Sequence, residues 1–229
     1  MFFVLSTKQK RSVFIMQLLK RIFTKEFFKR DFVIAMLAAL LFSMIFSLAG
    51  FEAKCNDLKQ NILRLHILAN SNSAEDQSIK LKIRDELLKQ SKGLFETAGN
   101  KEAAIKLVNE NTDFLKEIAQ KVLIKEGKNQ PVSISIGKAY FNTRVYDDFT
   151  LPAGEYDAVR VLIGKAEGKN WWCVMFPSMC IPAAEKEHKL TDAVNKNSAE
   201  IAENAPRYEM RFKIIEWYEK IKNKLKNTF

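Results

Sequence analysis

Cys173 and Cys180 stand seven positions apart around Pro177, a spacing at which a short loop can join two sulfurs in an oxidising compartment. Cys55 is then the odd cysteine of three. A second chemistry is open to Cys173, because an imidazole such as His66 can take the proton from a thiol and leave a nucleophilic thiolate. The bland counterpart ties Cys173 to Cys180 and makes His66 a strand residue hydrogen-bonded locally. Glu155 and Asp157 are acids two apart in a β-rich run, so both project to one face, as acid–base work requires; solvated strand carboxylates share that spacing.

Other chemistries lack their residues. In the segment 164–170 the glycines stand one residue too close for a phosphate loop, and Asn170 occupies the place of the Ser or Thr that would hold magnesium. Gly164 and Gly168 there suit a turn between strands. The histidines are His66 and His188 alone, with no HExxH and no second cysteine pair, so neither a metal nor another cofactor is expected. GxSxG, Asp-Thr-Gly and Asp-Ser-Gly do not occur, which removes the usual serine-hydrolase and aspartic-protease signatures. Trp171 and Trp172 are consecutive and face opposite ways on a strand, so one indole points outward as an interface anchor unless both sheet faces are covered.

The elements that position these residues follow from periodicity. Residues 61–70 alternate as a strand. Ser73 with Asp76 caps a helix to about residue 91, and Asn100 caps a second that continues to Gly127. Beyond Pro131, β-rich runs at 132–140, 143–146, 155–163 and 170–176 read as successive hairpins. Residues 183–206 read as a polar linker or weak helix. In 207–229, Tyr208, Met210, Phe212 and Ile214 alternate like a strand, whereas Ile214, Trp217, Tyr218, Ile221 and Leu225 form a helical stripe. The expected fold is α+β: a two-layer sandwich of a mostly antiparallel sheet under two helices, with the first strand added beside the later ones, then a C-terminal strand and helix. Residues 61–182 form the domain.

Residues 32–51 carry no charge between Asp31 and Glu52, enough to span a bilayer. Before them, eight basic against two acidic residues place +6 of the formal +10 within residues 1–31. A basic block directly ahead of an apolar stretch holds that end in the cytoplasm rather than marking a nucleic-acid surface. The stretch is a cleaved signal or a retained anchor. Ser47 and Ala49 offer the small residues of a cleavage site, with the cut expected after Ala49, and Met16 is an alternative start that shortens the leader. Phe51 stands where a lipoprotein would have its cysteine, so no lipid anchor is expected.

Three blocks in order, 63–85, 151–163 with 168–180, and 207–217, resemble the stage II sporulation protein R family. The resemblance covers nearly all of the part expected outside the cytoplasm. It implies a protein made in the forespore and exported to the space between forespore and mother cell. There it activates, without being an enzyme itself, a membrane-embedded aspartic protease that processes pro-sigma E. Neither nucleic acid nor a small-molecule substrate is implied. The family signature falls here on Arg64, His66, Asn70, Ser71, Asp76, Gln77, Lys80, Lys82, Arg84 and Asp85, as candidates for fold or interface, and on Trp171, Trp172, Cys173, Phe176, Pro177 and Cys180. In that second group a disulfide would hold the loop around Pro177 in one shape, lowering the ordering cost of binding. The long basic leader and the Ser178-Met179 pair depart from the family pattern. Other classes stay open: a secreted hydrolase resting on Cys173, His66 and the paired acids, and a membrane-tethered envelope protein if residues 32–51 are retained.

Overall fold

The computed structural model describes residues 16, 25–95, 97–146, 148–177, 179 and 189–226. Most of the basic leader, together with Cys180 and His188, lies outside them. The chain divides into two compact units, Met1–Gly50 and Phe51–Phe229. Helix α1, Lys25–Asn61, runs through the division. Its stretch Lys29–Asn61 is long and apolar enough to cross a membrane, and none of its apolar window is buried. That fits export or membrane anchoring alike. Ala49 is an exposed residue of this helix.

From Phe51 onward the same helix belongs to the folded unit: Phe51, Cys55 and Leu58 are buried, as is Ile62 just beyond its end. Strand β1, Leu63–Leu68, follows at once. Leu63, Leu65 and Ile67 enter one apolar cluster, while Arg64 and His66 are buried from the other side. A strand buried on both faces belongs in the middle of a sheet, and that is where β1 lies. With β2 (Val132–Phe141), β5 (Gly154–Ile163) and β6 (Asn170–Phe176), the order is β2-β5-β1-β6. β1 runs parallel to β5 and antiparallel to β6, and β2 runs antiparallel to β5, so the sheet is mixed. The expectation that β1 adds beside consecutive hairpins is therefore corrected: β1 separates β5 from β6, which do not form a hairpin. The β2–β5 ladder is a true hairpin, and its connection folds into a small one, β3 (Arg144–Val145) with β4 (Thr150–Leu151).

One face of the sheet is covered by α2 (Ala74–Phe95), α3 (Lys101–Glu110) and α4 (Thr112–Lys125). The Asp76 amide donates to Ser73 Oγ and the Ala103 amide to Asn100 Oδ1, the two helix starts expected from those residues. Among the described residues three helices, and not the expected two, cover this face. At Asn111 the backbone leaves helical geometry, and the Asn111 amide and Thr112 hydroxyl donate to the Leu107 and Val108 carbonyls. Short polar side chains that compete for backbone carbonyls break a helix in this way, and an apolar stripe continuing across one residue hides the break.

The other face is not bare. Val174, next to Cys173 and opposite to it in direction, joins Phe51, Leu58, Leu151 and Leu190 in a second cluster. The expected two-layer arrangement thus accounts for one face only. That cluster recruits α5 (Lys196–Glu203), within the region expected as linker or weak helix, and α6 (Ala205–Lys226). α6 is helical throughout, so the strand expected in 207–214 is corrected. Of the alternating residues Phe212 is buried, while Met210 and Ile214 are exposed. Burial instead follows Ala205, Phe212, Ile215 and Glu219, a helical spacing.

Candidate functional site

The residues singled out by sequence lie on β1, on α2 and along β6. β1 aims Arg64 and His66 at the face away from α2–α4. Arg64 has no exposed surface. Its guanidinium carbon sits 3.9 Å above the Phe141 ring and 5.0 Å from that of Tyr156, and Nη2 donates to the Tyr146 hydroxyl. Among the described residues, Nε and Nη1 have no hydrogen-bond partner. Burial holds the Arg64 pKa below the usual guanidinium value, with Tyr146 and Tyr156 opposing the shift. Ring faces offset part of the cost of taking the charge out of water.

His66 continues the column. Its ring stacks on Trp172 at 3.7 Å between centroids, and Trp172 meets Phe141 edge-on at 4.6 Å. Nε2 lies 2.7 Å from Asn170 Oδ1. Burial lowers the His66 pKa against the effect of that hydrogen bond, and nearby Arg160 lowers it further. The imidazole is therefore neutral at pH 7, with its Nε2 hydrogen held by Asn170. Cys173 pairs across the sheet with Leu65, and Trp172 with His66, so Cys173 and His66 face opposite sides and form no catalytic dyad. Cys173 is disulfide-bonded and Cys55 is free and buried; the expected partner, Cys180, lies outside the described residues. Glu155 is taken by Lys226, and Asp157 by Lys101 and Lys138. The paired acids are ion-pair partners of separate elements.

At the end of β1 a polar latch forms. Asn70 Nδ2 and Ser71 Oγ donate to Asp76 Oδ2 at 2.8 and 2.6 Å. The Ser71 and Asn70 hydrogen bonds hold the Asp76 carboxyl below the usual carboxylate range. Asn70 Oδ1 accepts from the Lys165 amide, and the Gly168 amide donates to the Ala69 carbonyl. The β5–β6 loop, which sequence reads as a turn, is thus arched over the end of β1. A side chain at Gly164 would meet Asn70 Oδ1 at 2.2 Å, and one at Gly168 would meet the Ser71 carbonyl at 2.2 Å, so both glycines are required by close approach. Gln77 donates to the Ser71 carbonyl, and Lys80 donates to Gln77 and to the Lys169 carbonyl.

On the helix-covered side, Arg84 lies 4.3 Å over Trp171 and pairs with the exposed Asp85. Both indoles are half-buried, between the two arrangements considered for consecutive tryptophans. Lys82 reaches Glu126 on the surface. Phe176 and Pro177, at the other end of β6, are buried, and the bond between them is cis. The structure divides these residues: His66 and Trp172 meet on the face away from α2–α4, Arg84 and Trp171 on the helix-covered face, Asn70, Asp76 and Lys80 at the end of β1, and Phe176 pairs with Leu63 at its start, beside Arg64. Phe141, Tyr146 and Tyr156, which enclose Arg64, carry no spacing signal, because long-range strand pairing brings them there.

The sequence profile described as Stage II sporulation protein R (spore_II_R) matches residues 59–186. Stage II sporulation protein R of Bacillus subtilis (strain 168) is 35% identical over 147 residues, which is 62% of this chain and 66% of that one. No solved structure matches the chain.

Proposed function

The chain belongs to the stage II sporulation protein R family, and on that premise we propose that it is an exported signal between compartments of a sporulating cell. In this reading it is made in the forespore and its folded unit acts outside the cytoplasm, where it switches on a membrane-embedded aspartic protease that processes pro-sigma E. It acts by binding and not by catalysis. An activator of this kind must bind the active arrangement of its partner more tightly than the inactive one.

The observation that carries the binding reading is the direction of two side chains. Cys173 and His66, the pair on which a hydrolase would rest, lie on opposite faces of the sheet, and His66 is occupied by Trp172 and Asn170. The apolar stretch of α1 supports passage to, or anchoring in, a membrane.

The test is reconstitution in a non-sporulating host that expresses the protease and its pro-sigma E precursor together with this chain, with and without residues 1–50. Precursor cleavage that requires the export segment is expected. With all three proteins present and correctly located, absence of cleavage would overturn the reading. The mass of the mature protein separates a signal cut after Ala49 from a retained anchor.

A further inference from the structure

The terminal helix α6 has two apolar faces, and only one is packed. Phe212 and Ile215 turn inward, whereas Met210, Ile214, Trp217, Ile221 and Leu225 are 39% to 72% exposed. Their spacing keeps them in one stripe along the helix. Tyr218 borders it, also exposed. At helical spacing, Arg207, Arg211 and Lys222 fall along one margin of the stripe and Lys213, Lys220 and Lys224 along the other; all six are exposed. Seven Lys or Arg and three Glu occupy α6, and one of those acids, Glu219, is buried against Lys59.

We propose that this stripe docks on an anionic lipid bilayer, with α6 lying in the interface and Trp217 among the headgroups. An apolar stripe with cationic margins and an exposed aromatic matches such a surface in both polarity and charge. Continuity along the chain gives a second argument. Phe51, where the folded unit begins, directly follows the apolar stretch of α1 and packs edge-on against Phe212 of α6 at 5.2 Å. Arg211 lies 5.8 Å from the same Phe51 ring. A membrane reached by that stretch is therefore adjacent, along the chain, to a residue in contact with α6. A second copy of the chain fits the stripe less well, because basic margins would face basic margins across a parallel helix pair. The proposal holds whether or not the chain activates a protease.

The test uses the full chain reconstituted in vesicles, with Trp217→Cys carrying an environment-sensitive fluorophore. Cys55 is buried and Cys173 is disulfide-bonded, which favours labelling of the introduced thiol. Glu203→Cys, at an exposed position on α5, is the control. In equimolar phosphatidylcholine and phosphatidylglycerol the probe at 217 shifts to the blue and is quenched by brominated acyl chains, whereas the probe at 203 does neither. The shift weakens in phosphatidylcholine alone, at high salt, and in a Lys213→Gln, Lys220→Gln, Lys224→Gln variant whose helix content is unchanged. A probe at 217 as exposed as that at 203 in the anionic vesicles overturns the proposal. Protection equal in both lipid mixtures also overturns it and, when it rises with protein concentration, assigns the stripe to a second copy.

Discussion

Lys59 Nζ lies 2.6 Å from Glu219 Oε1 with both side chains buried, and this pair joins the end of α1 to the terminal helix, 160 residues away. The Lys59 stem also crosses Gly154, where a Cβ would come within 2.5 Å of its Cδ. Removing one partner of such a pair leaves an uncompensated buried charge, which costs about 3–5 kcal/mol. Lys59→Met is therefore expected to lower the free energy of unfolding by that order in denaturant titration. Lys59→Met with Glu219→Leu should recover most of the loss. A double variant as unstable as the single one would contradict this account.

The latch at the end of β1 makes a sharper steric prediction. Gly168→Ala must push the β5–β6 loop off the Ser71 carbonyl, and overpacking of this kind costs roughly 1–3 kcal/mol. Gly99, around which a Cβ finds no atom within 4 Å, is the control, and Gly99→Ala should leave the unfolding midpoint nearly unchanged.

Asp76 gives the latch a pH dependence. Its folded pKa is depressed, chiefly by Ser71 and then Asn70, so the unfolded chain binds more protons in the acid range. The contribution is complete above the unfolded carboxyl pKa of about 4 and is lost as pH falls through the lower folded value. Asp76→Asn should be less stable at neutral pH and show a flatter acid limb. The same limb in both proteins would remove Asp76 from the account.

Arg64 separates stability from function. Its charge is buried, and two of its donor nitrogens find no partner among the described residues, so Arg64→Met, similar in shape and uncharged, is expected to be no more than about 1 kcal/mol less stable than the parent. Loss of precursor processing in a variant of unchanged stability would show that Arg64, itself buried, positions the residues around it for function.

For the proposed activator, His66→Ala and Cys173→Ser test the hydrolase directly. His66→Ala removes the stack on Trp172 and is expected to cost about 0.5–1.5 kcal/mol beyond its lost buried area, yet to retain processing. Cys173→Ser should lower stability through the lost disulfide and retain processing at reduced temperature. Retained processing in both variants would dismiss the catalytic reading, whereas loss in a folded His66→Ala protein alone would fit an interface role for His66 equally.

By itself the sequence determined what local chemistry and periodicity encode. The uncharged run before Phe51, the capping residues Ser73 and Asn100, and β6 at residues 170–176 were legible because each depends on neighbours within a few positions. So was the resemblance to a family, carried by blocks of sequence. Tertiary structure decided what depends on distant partners. Nothing local places β1 between β5 and β6; burial of both its faces does. Alternation across Tyr208, Met210, Phe212 and Ile214 suits strand or helix equally, and packing of Phe212 and Ile215 against the core selects the helix. The pairing of His66 with Trp172, the enclosure of Arg64 and the ion pair of Lys59 with Glu219 exist only once long-range register has been set, because each joins residues that share no local period.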